Sequence, residues 1–278
     1  MKVGFIGLGI MGLPMSINIS KKYETIGYDL LKKEVPYKWA ESYEDVVKNS
    51  DVVITMVPKN EHMVSVYTEL LKYMRKGMIF IDMSTIFPEV SIKIAEKVKE
   101  KGCELIDAPV VKSQPAAIKG ELGIYVGGNF DTFEKVKPIL ECMGKNIIYM
   151  GKNGAGLTMK ILHNMLVGEI QNGVNEVMTI AKKMDLNIDD VATAISYGGG
   201  QCFYLDTKKE NIKNETFPTA FSVENMKKDV HFAKDLKESL GLNLPGLDNV
   251  VRVYEDAMAE GLQKEDFSAS FKVVKENK

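Results

Sequence analysis

Lys160 and Asn164 stand four residues apart in the stretch Gly154-Ala155-Gly156-Leu157-Thr158-Met159-Lys160-Ile161-Leu162-His163-Asn164. If this stretch starts a helix, the spacing puts both side chains on one face, with His163 beside them. An amine and a carboxamide so placed can move a proton to or from a hydroxyl while holding that hydroxyl in position. A lysine serves as the base only when desolvation or a neighbouring cation brings its pKa down from about 10.4 toward neutrality. A lysine by itself says little here, because of the 36 Lys and Arg residues only Arg75 and Arg252 are arginine. The assignment rests on the glycine pair before Lys160 and the carboxamide after it.

A second stretch able to do chemistry is Gly7-Leu8-Gly9-Ile10-Met11-Gly12. It follows an apolar, β-favouring segment and opens a helix pattern, and Asp29 closes the next strand seventeen residues beyond Gly12. In that setting the glycines read as a dinucleotide fingerprint. The first permits a tight turn, the second lets the backbone approach a diphosphate, and the third lets helix pack on strand. The diphosphate would sit at the helix N-terminus, where free N–H groups and the helix dipole favour an anion. Asp29 would accept from ribose hydroxyls and repel a 2′-phosphate, which favours NAD and leaves NADP as the less favoured cofactor. A generic strand-to-helix turn ending in a solvated aspartate is the alternative.

Elements that must position these residues follow from the pattern. Apolar strand segments at 2–6, 24–29, 52–57, 78–82, 103–107, 122–126 and 147–150 alternate with helix signals, which predicts an α/β, doubly wound, largely parallel Rossmann sheet. After Gly151 the periodicity is helical, at about 157–184, 188–195, 222–240, 244–261 and 265–274. The expected organisation is an NAD-binding Rossmann domain over 1–153 followed by an all-α domain over 154–278, joined by the long helix. Such a helix suits a spine, a subunit interface or a plain core. At 278 residues the chain is long enough for about two domains. Its apolar runs all fall short of a membrane span, and a net charge of −2 gives no case for nucleic acid or a membrane surface. Cys103, Cys142 and Cys202 are far apart with no His cluster, so neither a disulfide framework nor a metal site is expected. With no export signal in the first residues, the expected location is the cytoplasm.

The residues so far, taken together, resemble the β-hydroxyacid dehydrogenase family over essentially the whole chain. Gly7-Leu8-Gly9-Ile10-Met11-Gly12-Leu13-Pro14-Met15 is similar to its N-terminal fingerprint, and Gly154-x-Gly156-x-x-x-Lys160-x-x-His163-Asn164 to its catalytic helix. The resemblance implies hydride transfer between NAD(H) and a small anionic β-hydroxyacid or semialdehyde, with Lys160 as general acid/base and Asn164 holding the substrate. It also implies that Val57, Pro58 and Thr85 line the cofactor. Asp107-Ala108-Pro109-Val110 would begin the substrate loop, and Phe221, Lys228 and Asp229 would belong to a C-terminal motif facing the nicotinamide. The resemblance and the long helix together imply a homodimer or homotetramer.

The substrate loop departs from the family. Where Ser-Gly-Gly is usual, this chain has Val111-Lys112-Ser113, and Pro115 follows where glycine is common. Lys112 reads either as a charge selecting a more strongly anionic group or as a solvated side chain. His163 reads either as a neighbour of Lys160 and the substrate or as an interior histidine. Gly199, within Gly198-Gly199-Gly200, reads as a point of close substrate approach or as a flexible connection. Two other functions stay open: a non-catalytic dinucleotide-binding module and an imine reductase. Both would be expected to have lost the lysine that stands at 160.

Overall fold

The computed structural model describes residues 1–276. Two compact units divide the chain, Met1–Lys160 and a second that begins at Ile161.

In the first unit the elements run β1 (Val3–Ile6), α1 (Gly12–Ser20), β2 (Thr25–Tyr28), β3 (Lys38–Trp39), α2 (Tyr43–Lys48), β4 (Val52–Thr55), α3 (Asn60–Leu70), β5 (Ile79–Asp82), α4 (Pro88–Glu100), β6 (Glu104–Asp107), β7 (Val110–Val111), α5 (Gln114–Lys119), β8 (Leu122–Gly127), α6 (Phe130–Leu140) and β9 (Gly144–Gly151). They build one sheet in the order β3-β2-β1-β4-β5-β6-β8-β7, with β9 paired to β8. Strands β1 to β6 are parallel; β8 runs antiparallel to β6 and β7, and β9 runs parallel to β8. The doubly wound reading holds, with an antiparallel step near one edge. Successive side chains divide between two buried clusters. Val3, Phe5, Ile54 and Ile106 face the side covered by α1, α5 and α6, and Ile6, Val53, Phe80 and Leu105 face the side covered by α2, α3 and α4. A strand buried on both faces carries a continuous apolar run, and all four residues of β1 are buried for this reason.

α7 (Ala155–Lys183) contributes its first residues to the first unit and the rest to the second. The second unit continues with α8 (Ile188–Ser196), α9 (Phe203–Asn214), α10 (Val223–Ser239), α11 (Pro245–Ala259), a short 3₁₀ turn at Phe267–Ala269 and α12 (Ser270–Glu276). It is helical as expected, except that the periodicity had left α9 unmarked. Only Leu205 and Ile212 of α9 are buried, and its N-cap is Cys202 rather than Ser, Thr, Asp or Asn. Among the described residues no helix is long and apolar enough to cross a membrane.

Candidate active site

The glycine turn sorts its three glycines by what lies next to them. A Cβ on Gly7, which has φ +93°, would lie 2.2 Å from the Met56 carbonyl oxygen, and one on Gly12 would lie 1.9 Å from the Gly7 carbonyl oxygen. Inner packing therefore requires both. At Gly9 nothing lies within 4 Å of such a Cβ, so the backbone there is open to a close-fitting group. Met11 caps α1 without a side-chain bond, no acid stands in the first turn, and Ile10 is exposed at the tip of the turn. Free N–H groups with open space beside them fit an anionic diphosphate.

A cleft of about 270 Å³ lies beside this turn, lined in part by Gly7, Gly9, Asp29, Val57 and Pro58. Asp29 Oδ2 accepts the Leu8 amide at 2.7 Å and Oδ1 accepts the Leu31 amide at 3.0 Å. The carboxylate is thus held by two backbone donors at the strand end, and its remaining lone pairs suit hydroxyls. Tyr28 and Tyr43 also line the cleft, their rings edge to face with centroids 4.8 Å apart. Together these residues fit the adenosine and diphosphate end of a dinucleotide, which Gly7, Leu8, Gly9 and Asp29 would hold. Thr85 lies in the loop after β5, beside the buried Ser84.

Lys160 is buried, with 7% of its surface exposed. The start of its helix is fastened by Asp107, at the end of β6. Asp107 Oδ1 accepts the Gly154 amide at 2.7 Å and Oδ2 accepts the Leu157 amide at 2.9 Å. Burial pushes this carboxyl up, and its bonds to backbone amides pull it down. Glycine surrounds it by necessity: a Cβ on Gly127 would lie 2.7 Å from Oδ1, and one on Gly156 would lie 2.9 Å from Oδ2. Gly156, the second glycine of the pair preceding Lys160, is therefore part of the wall of a carboxylate pocket, while Gly154 donates its amide into that pocket. A charge-assisted cap of this kind is about twice as strong as a neutral one, and it sets the register of the first turn of α7.

In the second unit Asn164, also buried, donates from Nδ2 to Asp229 Oδ2 at 2.5 Å. Lys228 Nζ stands 3.2 Å from Asp229 Oδ1 and lies over the Phe232 ring. Asp229 Oδ2 orients the Asn164 carboxamide within the second unit, while Oδ1 is buried with no hydrogen-bond partner among the described residues. Phe221 packs edge-on against Phe267. His163 is half-buried, and Gly199 lies in an exposed turn with nothing within 4 Å of an added Cβ.

Lys112 adopts φ +77°, the left-handed region that costs a residue with a Cβ about 1 kcal/mol. Its Nζ donates to the Glu121 carbonyl at 2.9 Å, so the ammonium has a local partner on the loop before β8. Val111 packs over Gly123, where a Cβ would meet Val111 Cγ2 at 2.5 Å. Ser113 is the N-cap of α5 without a side-chain capping bond.

The sequence did not show what several residues of the site hold in place. Asp107 was visible only as the start of a loop, although an acid closing a strand opposite a later Gly-x-Gly could have suggested a helix cap. His62, Ser65 and Val66 line the cleft from successive turns of α3, a spacing that periodicity alone assigns to helix packing.

Residues 2–151 match the family model for the NAD binding domain of 6-phosphogluconate dehydrogenase, and residues 154–274 match the model for NAD-binding of NADP-dependent 3-hydroxyisobutyrate dehydrogenase. The chain is 33% identical over 291 residues to the mitochondrial 3-hydroxyisobutyrate dehydrogenase of Mus musculus, covering 99% of this chain and 87% of that one. It is 34% identical over 280 residues to the 2-hydroxy-3-oxopropionate reductase of Escherichia coli K12, covering 97% and 95%. The solved structure of Mycobacterium tuberculosis 3-hydroxyisobutyrate dehydrogenase with L-serine superposes with a TM-score of 0.90 at 28% identity, covering 98% of each chain.

Proposed function

The chain belongs to the β-hydroxyacid dehydrogenase family, and on that premise we propose that it transfers a hydride between NAD(H) and a small anionic β-hydroxyacid or the corresponding semialdehyde. Lys160 is the general acid/base in this reading. The observation that carries it is a buried lysine one helical turn from a buried, oriented carboxamide, on a helix whose start is clamped by Asp107. A bound nicotinamide supplies the hydride acceptor or donor. In oxidation Lys160 Nζ takes the hydroxyl proton as the hydride leaves the carbon; in reduction it returns that proton. Asn164 has one amide hydrogen committed to Asp229, which leaves its carbonyl oxygen and second N–H for the substrate. Asp29 favours NAD over NADP.

The chain further acts, in this reading, as a homodimer or larger homo-oligomer. Leu162, Leu166, Val177 and Ile180 are exposed along α7, with Met184 exposed just beyond its end, at spacings that align them as one apolar stripe. A second copy of the same stripe is the partner that would cover it. Three free cysteines support a reducing cytoplasm.

Purified protein screened with NAD⁺ and NADP⁺ against hydroxyacids, semialdehydes and cyclic imines tests the reading. Lys160→Ala is expected to keep NADH binding and to lower kcat by at least about a hundredfold. Turnover of imines alone, or unchanged turnover in Lys160→Ala, refutes the assignment.

A further inference from the structure

Asp82 closes β5, is fully buried, and takes no part in the reaction as proposed. Its Oδ1 accepts from the Ser84 hydroxyl at 2.6 Å, the Thr55 hydroxyl at 2.9 Å and the Ser84 amide at 3.3 Å. Its Oδ2 is buried with no hydrogen-bond partner among the described residues. An ionised carboxylate only accepts, so both hydroxyls must donate to it. Ser84 Oγ then presents lone pairs elsewhere, and it accepts the Val57 amide at 2.8 Å. Val57, with Met56 and Pro58, forms a wall of the cleft beside the glycine turn. Met56 presses directly on that turn, since its carbonyl oxygen occupies the space next to Gly7. Hydrogen bonds from the carboxylate to Val57, and then the packing of Met56, thus lead from a carboxylate outside the cleft to the first glycine inside it.

We propose that Asp82 is a positioning residue of this cleft: through Ser84 it fixes the Val57 amide and holds the Met56–Pro58 wall against Gly7, at the width a dinucleotide requires. The proposal rests on the reading of the cleft as the dinucleotide site. The groups that face Asp82 are Thr55 from β4, Tyr67 from α3, whose hydroxyl lies 3.4 Å from Thr55 Oγ1, and Asp107, its register partner on β6. Burial pushes the Asp82 carboxyl up to about 6 against the pull of its bonds to Ser84 and Thr55, and the charge of Asp107 adds to the rise. A half-satisfied buried carboxylate destabilises a fold relative to a well-packed apolar side chain. A purely architectural role would leave that loss without a return.

The test uses the intact protein as wild type, Asp82→Leu, which removes the acceptor that an asparagine would keep, Ser84→Ala and the double variant, with three readouts: NADH affinity by nucleotide fluorescence, hydrogen exchange at the Val57 amide without nucleotide, and Tm at pH 7.5. Each single variant is expected to raise the NADH Kd by about tenfold, the equivalent of one buried hydrogen bond. The double variant is expected to add little, because both changes break one relay. Val57 exchange should quicken in every variant. Tm of Asp82→Leu should be unchanged or higher, which separates positioning from general destabilisation. If Asp82→Leu does not fold, Ser84→Ala carries the test, as it removes a single hydroxyl. Unchanged Val57 exchange and unchanged Kd in folded Ser84→Ala overturn the proposal, as does full additivity in the double variant. Wild-type protein that fails to bind NADH overturns the reading of the cleft, and Val57 exchange then still decides whether Asp82 holds the wall.

Discussion

Asp107→Asn exchanges one buried oxygen for an NH₂ group and should separate catalysis from cofactor binding. The carboxylate accepts two backbone amides, Gly154 at 2.7 Å and Leu157 at 2.9 Å. A carboxamide has one oxygen, so one of those amides would face Nδ2 with no acceptor. Bonds to a charged group contribute about 1.5–3 kcal/mol each. The variant loses one and weakens the other, but it also relieves the burial that pushes this carboxyl up. The net loss is about 2 kcal/mol, which for a chain of this size corresponds to a fall in Tm of roughly 4–8 °C. Lys160 follows Leu157 by less than one turn, so a loosened first turn displaces its ammonium directly. A displacement of about 1 Å can cost roughly a hundredfold in rate. Steady-state kcat, NADH Kd and thermal melting on one preparation give the answer: kcat down by ten- to a hundredfold, Kd within about twofold of wild type, and Tm lower by the stated range. Gly156→Ala should act the same way, because its Cβ would intrude to 2.9 Å from Asp107 Oδ2 and 2.4 Å from the Tyr125 carbonyl oxygen. A folded Asp107→Asn enzyme with kcat close to wild type would show that the cap does not set the position of Lys160.

Asp29→Ala removes the acceptor held by the Leu8 and Leu31 amides, and the ratio of kcat/KM for NAD over NADP should fall by about tenfold or more; a wild-type enzyme that already prefers NADP contradicts the role given to Asp29. Asp82 also makes stability depend on pH. Its folded pKa of about 6 lies above the ordinary 3.8, so the folded state binds the proton more tightly than the unfolded chain. This group therefore lowers stability by about 3 kcal/mol when ionised above pH 6, and that loss is relieved as pH falls from 7 toward 4. Denaturant unfolding at pH 7 and pH 5 should show the relief in wild type and not in Asp82→Asn, and equal pH dependence in both contradicts it. Ile180→Glu places a charge in the exposed stripe of α7, where Ile180 has 65% of its surface exposed, and light scattering should report a shift toward the 31.0 kDa monomer; an unchanged oligomer mass removes the stripe from the interface.

The sheet was legible because parallel strands buried on both faces leave continuous apolar runs such as Val3–Ile6 and Val52–Thr55. Short edge pieces were not: β3 and β7 have two residues each, too few to carry a period. α9 escaped for the opposite reason, being mostly exposed and polar, with two buried residues and a cysteine cap. In the site, the glycines of the first turn were readable because each glycine answers to a different neighbour. The segments that begin at Asp82 and Asp107 resemble family motifs, but the bonds of the two carboxylates were not readable, because a residue's partners across strands depend on register, and a strand pattern carries no register. Lys112 shows the limit most plainly. Its departure from the family was visible in the sequence, but neither its left-handed backbone nor its bond to the Glu121 carbonyl could be read there.

The cross-strand register also explains why three carboxylates gather at one edge of the sheet. Thr55, Asp82 and Asp107 are successive register partners on β4, β5 and β6, and Asp29 follows Tyr28, the last residue of β2 and the partner of Ile6. At the carboxyl edge of a parallel sheet the chain leaves each strand into a loop whose first amides no longer have strand partners. Each carboxylate takes up such amides. Asp29 holds Leu8 and Leu31, Asp82 holds Ser84 and through it Val57, and Asp107 holds Gly154 and Leu157. These segments include the glycine turn, a wall of the cleft and the helix of Lys160. Charge-assisted bonds of this kind order the loops before any ligand arrives, so binding need not supply that ordering. The loss falls on stability, since burial opposes ionisation at both Asp82 and Asp107. Substituting these acids by neutral residues should therefore trade function against stability in a graded way: at Asp82, where one oxygen is unpartnered, the fold gains, and at Asp107, where both oxygens hold backbone amides, it loses.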